Sequence, residues 1–259
     1  MCTVVLGFAP EADIPLMLVG VRDEFAGRAW LPPDRHWPDH PGVIGGLDLL
    51  AGGTWLAVDP ALPRAAALLN GRGAPAPEDR RRSRGELPLL AVRAGDLPDR
   101  DPAHYDPFHL VLAEPTGVRL WHWDGEVLTE DKLPEGVHII VNSGWERGDE
   151  NERVAHFRPL FSAAWPVGSG PRPAALREDD AERRWRRWRD LASGEGIPVD
   201  DPRALVVRHD LGERGVWGTS SITLLALAPG GVRYDFCPRP DDPSTWYPVL
   251  GEDPAAAMP

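Results

Sequence analysis

The sequence predicts an α+β fold in which antiparallel strands outnumber helices. Short apolar segments recur along the chain and are separated by turns rich in the 29 prolines and 27 glycines, a pattern typical of strands joined by tight connections. One segment near residue 185 instead repeats its apolar residues at helical spacing. No change of composition divides the 259 residues into halves that could fold alone, so we expect a single domain over residues 1–259.

The expected strands of the N-terminal half begin with an antiparallel pair that is joined by a turn at Pro10–Pro15. The proline-rich segment Trp30–Gly42 is predicted to be a loop. A glycine pair then precedes a strand that contains Trp55, because glycine permits a tight turn or a close backbone approach. The predicted strands are Cys2–Phe8, Leu16–Val21, the segment around Trp55, and Ala65–Leu69.

The second half combines a meander of strands with two predicted helices. The helix Ala181–Ala192 has an apolar stripe at Ala181, Trp185, Trp188 and Ala192, and acidic residues precede it as the helix dipole favours. Asn151–Phe161 is also helix-like, and a short apolar segment after Arg84–Leu87 looks helical despite Pro88. The predicted strands are Phe108–Ala113, Val118–Trp123, Val127–Leu128, Val137–Val141, Ser221–Ala228 and Val232–Phe236, and the residues beyond Cys237 are expected to form a tail.

The composition restricts the classes of partner. The 28 Lys and Arg residues against 40 Asp and Glu residues give a net charge of −12, which argues against nucleic acid or an anionic membrane surface. The longest apolar run, Ile14–Val21, is too short to span a bilayer. Two cysteines make no disulfide framework or metal motif and fit a cytoplasmic location. His36 and His40 flank Pro38, which breaks the helical spacing of a metal pair, so we expect no metal or cofactor.

Cys2 is the first candidate for chemistry. If the cell removes Met1, Cys2 carries both a thiol and a free α-amine, and an amine with a pKa of roughly 8 can accept the thiol proton without a histidine. The alternative is that Cys2 is a small buried hydrophobic residue in an N-terminal strand. The residues around it must decide between these interpretations.

Charged and amide residues at strand ends are the remaining candidates. Arg22 and Asp23 close the second strand, where a guanidinium would lower the pKa of the Cys2 thiol and a carboxylate could hold the α-amine. They are otherwise a solvated strand end. Asn70 and Asn142 each follow an apolar strand, which suggests a shared rim. An asparagine there either favours a left-handed turn or points its amide at an oxyanion.

Eight short motifs occur in an order that resembles one known family. They are Met1-Cys2-Thr3, Val21-Arg22-Asp23-Glu24-Phe25, Gly45-Gly46-Leu47-Asp48, Gly52-Gly53-Thr54-Trp55-Leu56, Leu68-Leu69-Asn70, Arg84-Gly85-Glu86-Leu87, Val141-Asn142-Ser143 and Gly218-Thr219. They are spread over most of the chain and resemble the family named for its Asn-Arg-Asp-Glu (NRDE) motif, also called the transport and Golgi organisation protein 2 family. The resemblance implies the four-layer αββα sandwich of N-terminal nucleophile hydrolases, with two antiparallel sheets.

The resemblance also implies roles for individual residues. Cys2 would be nucleophile and general base, Arg22 the thiolate partner, Asp23 the holder of the α-amine, and Asn70 with Asn142 the oxyanion donors. The chain departs from the family pattern where Val21 replaces the first Asn of the motif and where Ser220 and Ile222 replace an arginine and an asparagine. Loss of that arginine implies either a different substrate or lost activity.

The leading hypothesis is a thiol-dependent amidohydrolase or acyltransferase that acts on a small amide, ester or thioester. Many of the eleven tryptophans suit a pocket wall, and Trp55, Trp145 and Ser220 are the expected substrate-binding residues. Roles discussed for eukaryotic members of the family are haem trafficking and lipid or acyl-CoA homeostasis. The alternatives are therefore a non-enzymatic protein that binds haem or an acylated metabolite, or an inactive scaffold. The residues do not predict an oligomeric state.

Overall fold

The structure, a computed structural model, describes residues 2–146, 151–165 and 174–251. In chain order its strands are β1 (Thr3–Phe8), β2 (Leu16–Phe25), β3 (Trp30–Asp34), β4 (Ile44–Asp48), β5 (Leu56–Asp59), β6 (Arg64–Asn70), β7 (Phe108–Glu114), β8 (Gly117–Trp123), β9 (Leu128–Leu133), β10 (Gly136–Val141), β11 (Gly144–Glu146), β12 (Arg208–Asp210), β13 (Val216–Ala228), β14 (Gly231–Cys237) and β15 (Tyr247–Leu250). The α-helices are α1 (Leu87–Ala94), α2 (Glu152–Ala164) and α3 (Ala174–Ala192).

These strands form two antiparallel sheets. Sheet 1 has the order β11-β10-β1-β2-β13-β14-β15, and β12 also pairs with β13. Sheet 2 follows the chain, from β3 to β9. The predicted first hairpin is confirmed, because β1 and β2 pair from Thr3 opposite Val21 to Phe8 opposite Leu16.

The side chains of the two sheets alternate between an inner and an outer face, as the period of two in a strand requires. On the inner face, Val4 and Leu18 of sheet 1 share a core with Val111 of sheet 2. The outer face of sheet 1 packs on α2 and α3, whose aromatic residues include Phe157 and Trp185. The outer face of sheet 2 packs on α1. The resulting helix, sheet, sheet, helix order is the predicted αββα sandwich.

Several predicted boundaries were wrong, mainly at sheet edges. Part of the predicted loop Trp30–Gly42 is strand β3, which tolerates two prolines because it is the edge of sheet 2 and its register shifts between Leu31 and Asp34. The expected tail beyond Cys237 contains β15 at one edge of sheet 1. The helix predicted from Asn151 begins at Glu152, since the Asn151 side chain accepts hydrogen bonds from the next backbone N–H groups and caps the helix.

Candidate active site

Cys2 lies at the start of β1, partly buried, between the two sheets. Its Sγ accepts a hydrogen bond from the Asp23 backbone N–H at 3.4 Å. The thiol also donates to the Asp23 carbonyl oxygen, which lies 3.5 Å from Sγ. A cavity of about 20 Å³ adjoins the sulfur and is lined by Cys2, Arg22, Trp55 and apolar residues of β6. This volume holds about one water molecule. Cys2 therefore borders a small cavity between the sheets.

The environment raises the pKa of the Cys2 thiol. Burial is the largest cause, and the Asp23 carboxylate acts in the same direction. The Asp23 N–H and the Arg22 guanidinium lower this pKa, but by less. Arg22 thus acts in the predicted direction, but desolvation of the thiolate outweighs the nearby cation.

Arg22 is a clamped, buried cation. Even-numbered residues of β2 such as Leu18 face the inner core, and Arg22 follows that alternation into the cavity. Its guanidinium lies 4.4 Å above the Trp55 ring, and Glu24 and Asp48 lie 3.8 and 3.9 Å from its Nη2. Burial lowers its pKa from the usual value for arginine, while the two carboxylates oppose that shift. The indole fits there because position 46 is glycine, where a Cβ would lie 2.2 Å from the Trp55 ring.

Asp23 points to the opposite face of the same strand. Its Oδ1 accepts a hydrogen bond from Thr219 Oγ1 at 2.7 Å, and its Oδ2 lies 3.6 Å from Arg153 Nη1. Arg153 Nη1 also donates to Thr3 Oγ1 at 2.8 Å. The Asp23 backbone therefore flanks the sulfur while its carboxylate lies on the side of α2. Its role as holder of the α-amine stays a prediction.

Ser220 is a partner of Arg22. The pairing of β13 with β2 shifts register between Thr219 and Ser221, which makes Ser220 the extra residue of a bulge. Its Oγ accepts from Arg22 Nη1 at 2.9 Å and donates to the Arg22 carbonyl oxygen at 3.1 Å. Bulges commonly redirect a side chain beside a site. Ser220, which stands in the place of the family arginine, therefore orients Arg22. Ser220 is not among the residues that line the cavity.

Asn70 and Asn142 meet at the rim, as predicted. Asn142 Nδ2 donates to the Asn70 carbonyl oxygen at 2.7 Å, which joins the end of β10 in sheet 1 to the end of β6 in sheet 2. Asn142 Oδ1 is buried without a hydrogen-bond partner in the part of the chain that the structure describes. His109 Nε2 contacts the Asn142 carbonyl oxygen at 3.2 Å. The oxyanion role of both amides stays a prediction.

The two predicted pocket tryptophans differ in position. Trp55 lines the cavity beside Cys2. Trp145 lies on β11 opposite Ile140 and packs on the inner core. Its ring meets that of His138 edge-on, with the ring centroids 5.3 Å apart. It does not line the cavity.

Two arginines near Cys2 were not among the predicted site residues. Arg153 follows the N-cap of α2 and precedes Phe157 and Phe161 at four-residue spacing. A charged residue that continues an apolar stripe is the signal that could have found it. Arg84 begins the motif Arg84-Gly85-Glu86-Leu87, from which the sequence predicted no role at the site. Burial lowers the pKa of both arginines. The carboxylate of Asp23 opposes that shift most in Arg153 and that of Asp106 most in Arg84, and Cys2 opposes it by less in each.

The described segments contain no cluster of three or more His, Cys, Asp or Glu residues that could hold a metal ion. Nor does any helix within those segments have the length and apolarity needed to cross a membrane.

Comparison with known proteins decides the family. The family model described as Transport and Golgi organisation 2 matches residues 1–170. The chain belongs to this family. All the site residues predicted from the sequence lie inside the match to the Transport and Golgi organisation 2 model except Ser220. A solved structure of the Caenorhabditis elegans N-acylethanolamine-hydrolyzing acid amidase (NAAA) ortholog is 11% identical, covers 86% of this chain and 92% of its own, and superimposes with a TM-score of 0.41. No curated protein matches the sequence.

Proposed function

We propose that the protein is a thiol-dependent amidohydrolase or acyltransferase that uses Cys2, exposed by removal of Met1, on a small amide, ester or thioester. The observation that carries the proposal is that Cys2 and Arg22 line the same cavity between the sheets. The Asp23 N–H directed at Sγ is a fixed donor for a thiolate. The two unpaired cysteines support a cytoplasmic location.

The proposed reaction has two steps. The α-amine of Cys2 takes the thiol proton, and Sγ forms a bond to the substrate carbonyl carbon. The oxygen of the tetrahedral intermediate would accept hydrogen bonds from the Asn70 amide, which is exposed at the rim, and from the second N–H of Asn142. The bond to the leaving amine, alcohol or thiol then breaks, and that group takes the proton from the ammonium. Water or an acceptor amine finally cleaves the thioester and restores the thiol.

The raised pKa of Cys2 gives the α-amine a specific task. A thiol whose pKa is raised by burial is neutral near pH 7 and is a poor nucleophile. A base on the same residue removes the proton within the cavity, so activity would appear only after Met1 is removed. The proposal therefore predicts that turnover tracks the processed fraction.

Turnover of a panel of nitrophenyl esters, anilides and acyl thioesters by wild type, Cys2→Ala and Cys237→Ala tests the proposal. Intact mass measured on each preparation gives the fraction that lacks Met1. We expect Cys2→Ala to abolish turnover and Cys237→Ala to retain it, because Cys237 is 1% exposed and lies in the other core, between sheet 1 and its helices. Equal rates for wild type and Cys2→Ala would reject Cys2 as the nucleophile.

The alternative is a non-enzymatic protein that binds haem or an acylated metabolite beside Cys2, which requires the cavity of about 20 Å³ to widen. The raised pKa of the Cys2 thiol favours it, since binding an acyl chain needs no thiolate. Titration with haem and with a fluorescent acyl chain distinguishes the two functions. Tight binding by wild type and Cys2→Ala alike, without turnover by processed protein, would support the binding function.

A further inference from the structure

We propose that Arg84 forms an anion-binding site at the mouth of the Cys2 cavity, and that it selects substrates that carry a carboxylate or phosphate beside the group attacked by Cys2. The inference rests on the proposed function for the word substrate, but the binding site can be tested without turnover.

The position of Arg84 is defined by hydrogen bonds at the rim. Its Nη1 donates to the Pro107 carbonyl oxygen at 2.7 Å, and the Gly71 N–H donates to the same oxygen at 2.8 Å. Gly71 directly follows Asn70, the rim residue to which Asn142 is bonded. The guanidinium is therefore held beside the strand end at which the predicted oxyanion donors meet.

The backbone next to Arg84 is fixed to the segment that precedes the cavity residue Trp55, although Arg84 itself is not among the residues that line the cavity. The next residue, Gly85, accepts a hydrogen bond from Thr54 N–H at 2.9 Å through its carbonyl oxygen, and Thr54 immediately precedes the cavity residue Trp55. The two backbone segments approach so closely that a Cβ on Gly53 would lie 2.4 Å from the Gly85 carbonyl carbon. Such a fixed backbone reduces the entropy lost when a ligand binds.

Arg84 differs from the other arginines near Cys2 in its partners. Arg22 has two carboxylates within 4 Å, and Arg153 has Asp23. Within the described part of the chain, the Arg84 guanidinium has no carboxylate within 4 Å. The Pro107 carbonyl oxygen is the one acceptor that it bonds there. The Asp106 carboxylate is paired with Arg81, at 3.2 Å, and it also attracts the Arg84 guanidinium from beyond 4 Å.

The chemistry of a guanidinium identifies the ligand class. Arginine stays charged and presents five N–H donors in a planar fork that matches carboxylate and phosphate oxygens. One of these donors is used by Pro107, and the residue is partly exposed. Partial burial strengthens the attraction for an anion compared with a fully solvated arginine.

The experiment compares three small amides: succinamate, which carries a carboxylate, 3-phosphonopropanamide, which carries a phosphonate, and neutral butanamide. Binding to wild type, Cys2→Ala, Arg84→Gln, Arg84→Lys and Arg82→Gln is measured by NMR titration. We expect at least one anionic probe to bind wild type and Cys2→Ala about tenfold more tightly than butanamide. Arg84→Gln should remove this difference, and Arg84→Lys should keep part of it.

Arg82→Gln is the matched control, because Arg82 lies in the same segment, is half-exposed and faces Glu86. It should leave the preference for the anion unchanged. If Arg84→Gln does not fold, the salt dependence of wild type decides, since added salt should weaken the anionic probes and not butanamide. Equal binding of charged and neutral probes, or equal loss in the Arg82 and Arg84 variants, would overturn the site. Anion preference without turnover would reject the enzyme proposal alone.

Discussion

Ser220 and Ser221 are neighbouring serines with opposite hydrogen-bond states. Ser220 Oγ is bonded to Arg22 twice, whereas Ser221 Oγ is buried without a partner among the described residues. We expect Ser220→Ala to lower the free energy of unfolding by about 1–3 kcal/mol, because it strands donors of a buried cation. Ser221→Ala should be neutral or stabilising, since it removes an unsatisfied hydroxyl. Urea unfolding followed by tryptophan fluorescence measures both, and equal losses in both variants would contradict this assignment.

The site residues that the sequence predicted best are those that can be recognised from their position in the chain. Cys2 was found from its place after Met1, and Asn70 and Asn142 from their places after strands. Arg153 was missed because its contact with Asp23 spans 130 positions of sequence and depends on which face of sheet 1 the helix α2 covers. Arg84 was missed because the close approach of Gly53 and Gly85 cannot be read from either motif alone.

At the level of strands, β7 carries the buried His109 and β8 carries the partly exposed His122. His109 and His122 stack with Nδ1 atoms 2.7 Å apart, and His109 Nε2 faces the Asn142 carbonyl oxygen. A carbonyl only accepts, so His109 Nε2 carries the proton and His122 Nδ1–H donates to His109 Nδ1. Burial, and then the neighbouring His122, lower the pKa of His109 to about 4. The pair is thus assembled for neutral His109.

This pKa shift predicts a pH dependence of stability. The unfolded chain, with a histidine pKa near 6.5, binds more protons than the folded one between about pH 6.5 and 4. The contribution to the free energy of unfolding is complete above pH 6.5 and is lost as the pH falls to 4, by roughly 3 kcal/mol. His109→Phe should unfold more easily at pH 7 but lose less stability on acidification, whereas the partly exposed His104→Gln should keep the wild-type slope. Parallel slopes for wild type and His109→Phe, in urea unfolding at several pH values, would contradict it.

Strand alternation explains both a success and a limit of the sequence analysis. Arg22 and Asp23 were expected near Cys2, and both are, but adjacent strand residues point to opposite faces. The guanidinium consequently enters the cavity while the carboxylate joins Thr219 on the helix side. Of the strands that the sequence missed, β3 and β15 are edge strands containing proline, where composition and structure conflict most.

For the whole molecule, the αββα layers were predicted by the family resemblance that the order of the motifs carries. The family match ends at residue 170, yet β13 pairs with β2 along ten residue pairs from Trp217 opposite Phe25 to Leu227 opposite Leu16. Residues beyond the match therefore lie in the centre of sheet 1. On this ground we propose that residues 1–259 form one domain.

The hydrogen bond from Asn142 Nδ2 to the Asn70 carbonyl oxygen connects the two sheets at the open end beside Cys2. Removing the Asn142 amide should let the sheets separate there, so Asn142→Ala should increase the rate at which a thiol reagent modifies Cys2. The rate is measured in a Cys237→Ala background, which leaves one thiol. Asn70→Ala is the matched control, because it keeps the backbone carbonyl and should leave the rate unchanged. If both variants react at the wild-type rate, the bond does not control access, and the cavity must open elsewhere to admit a substrate larger than water.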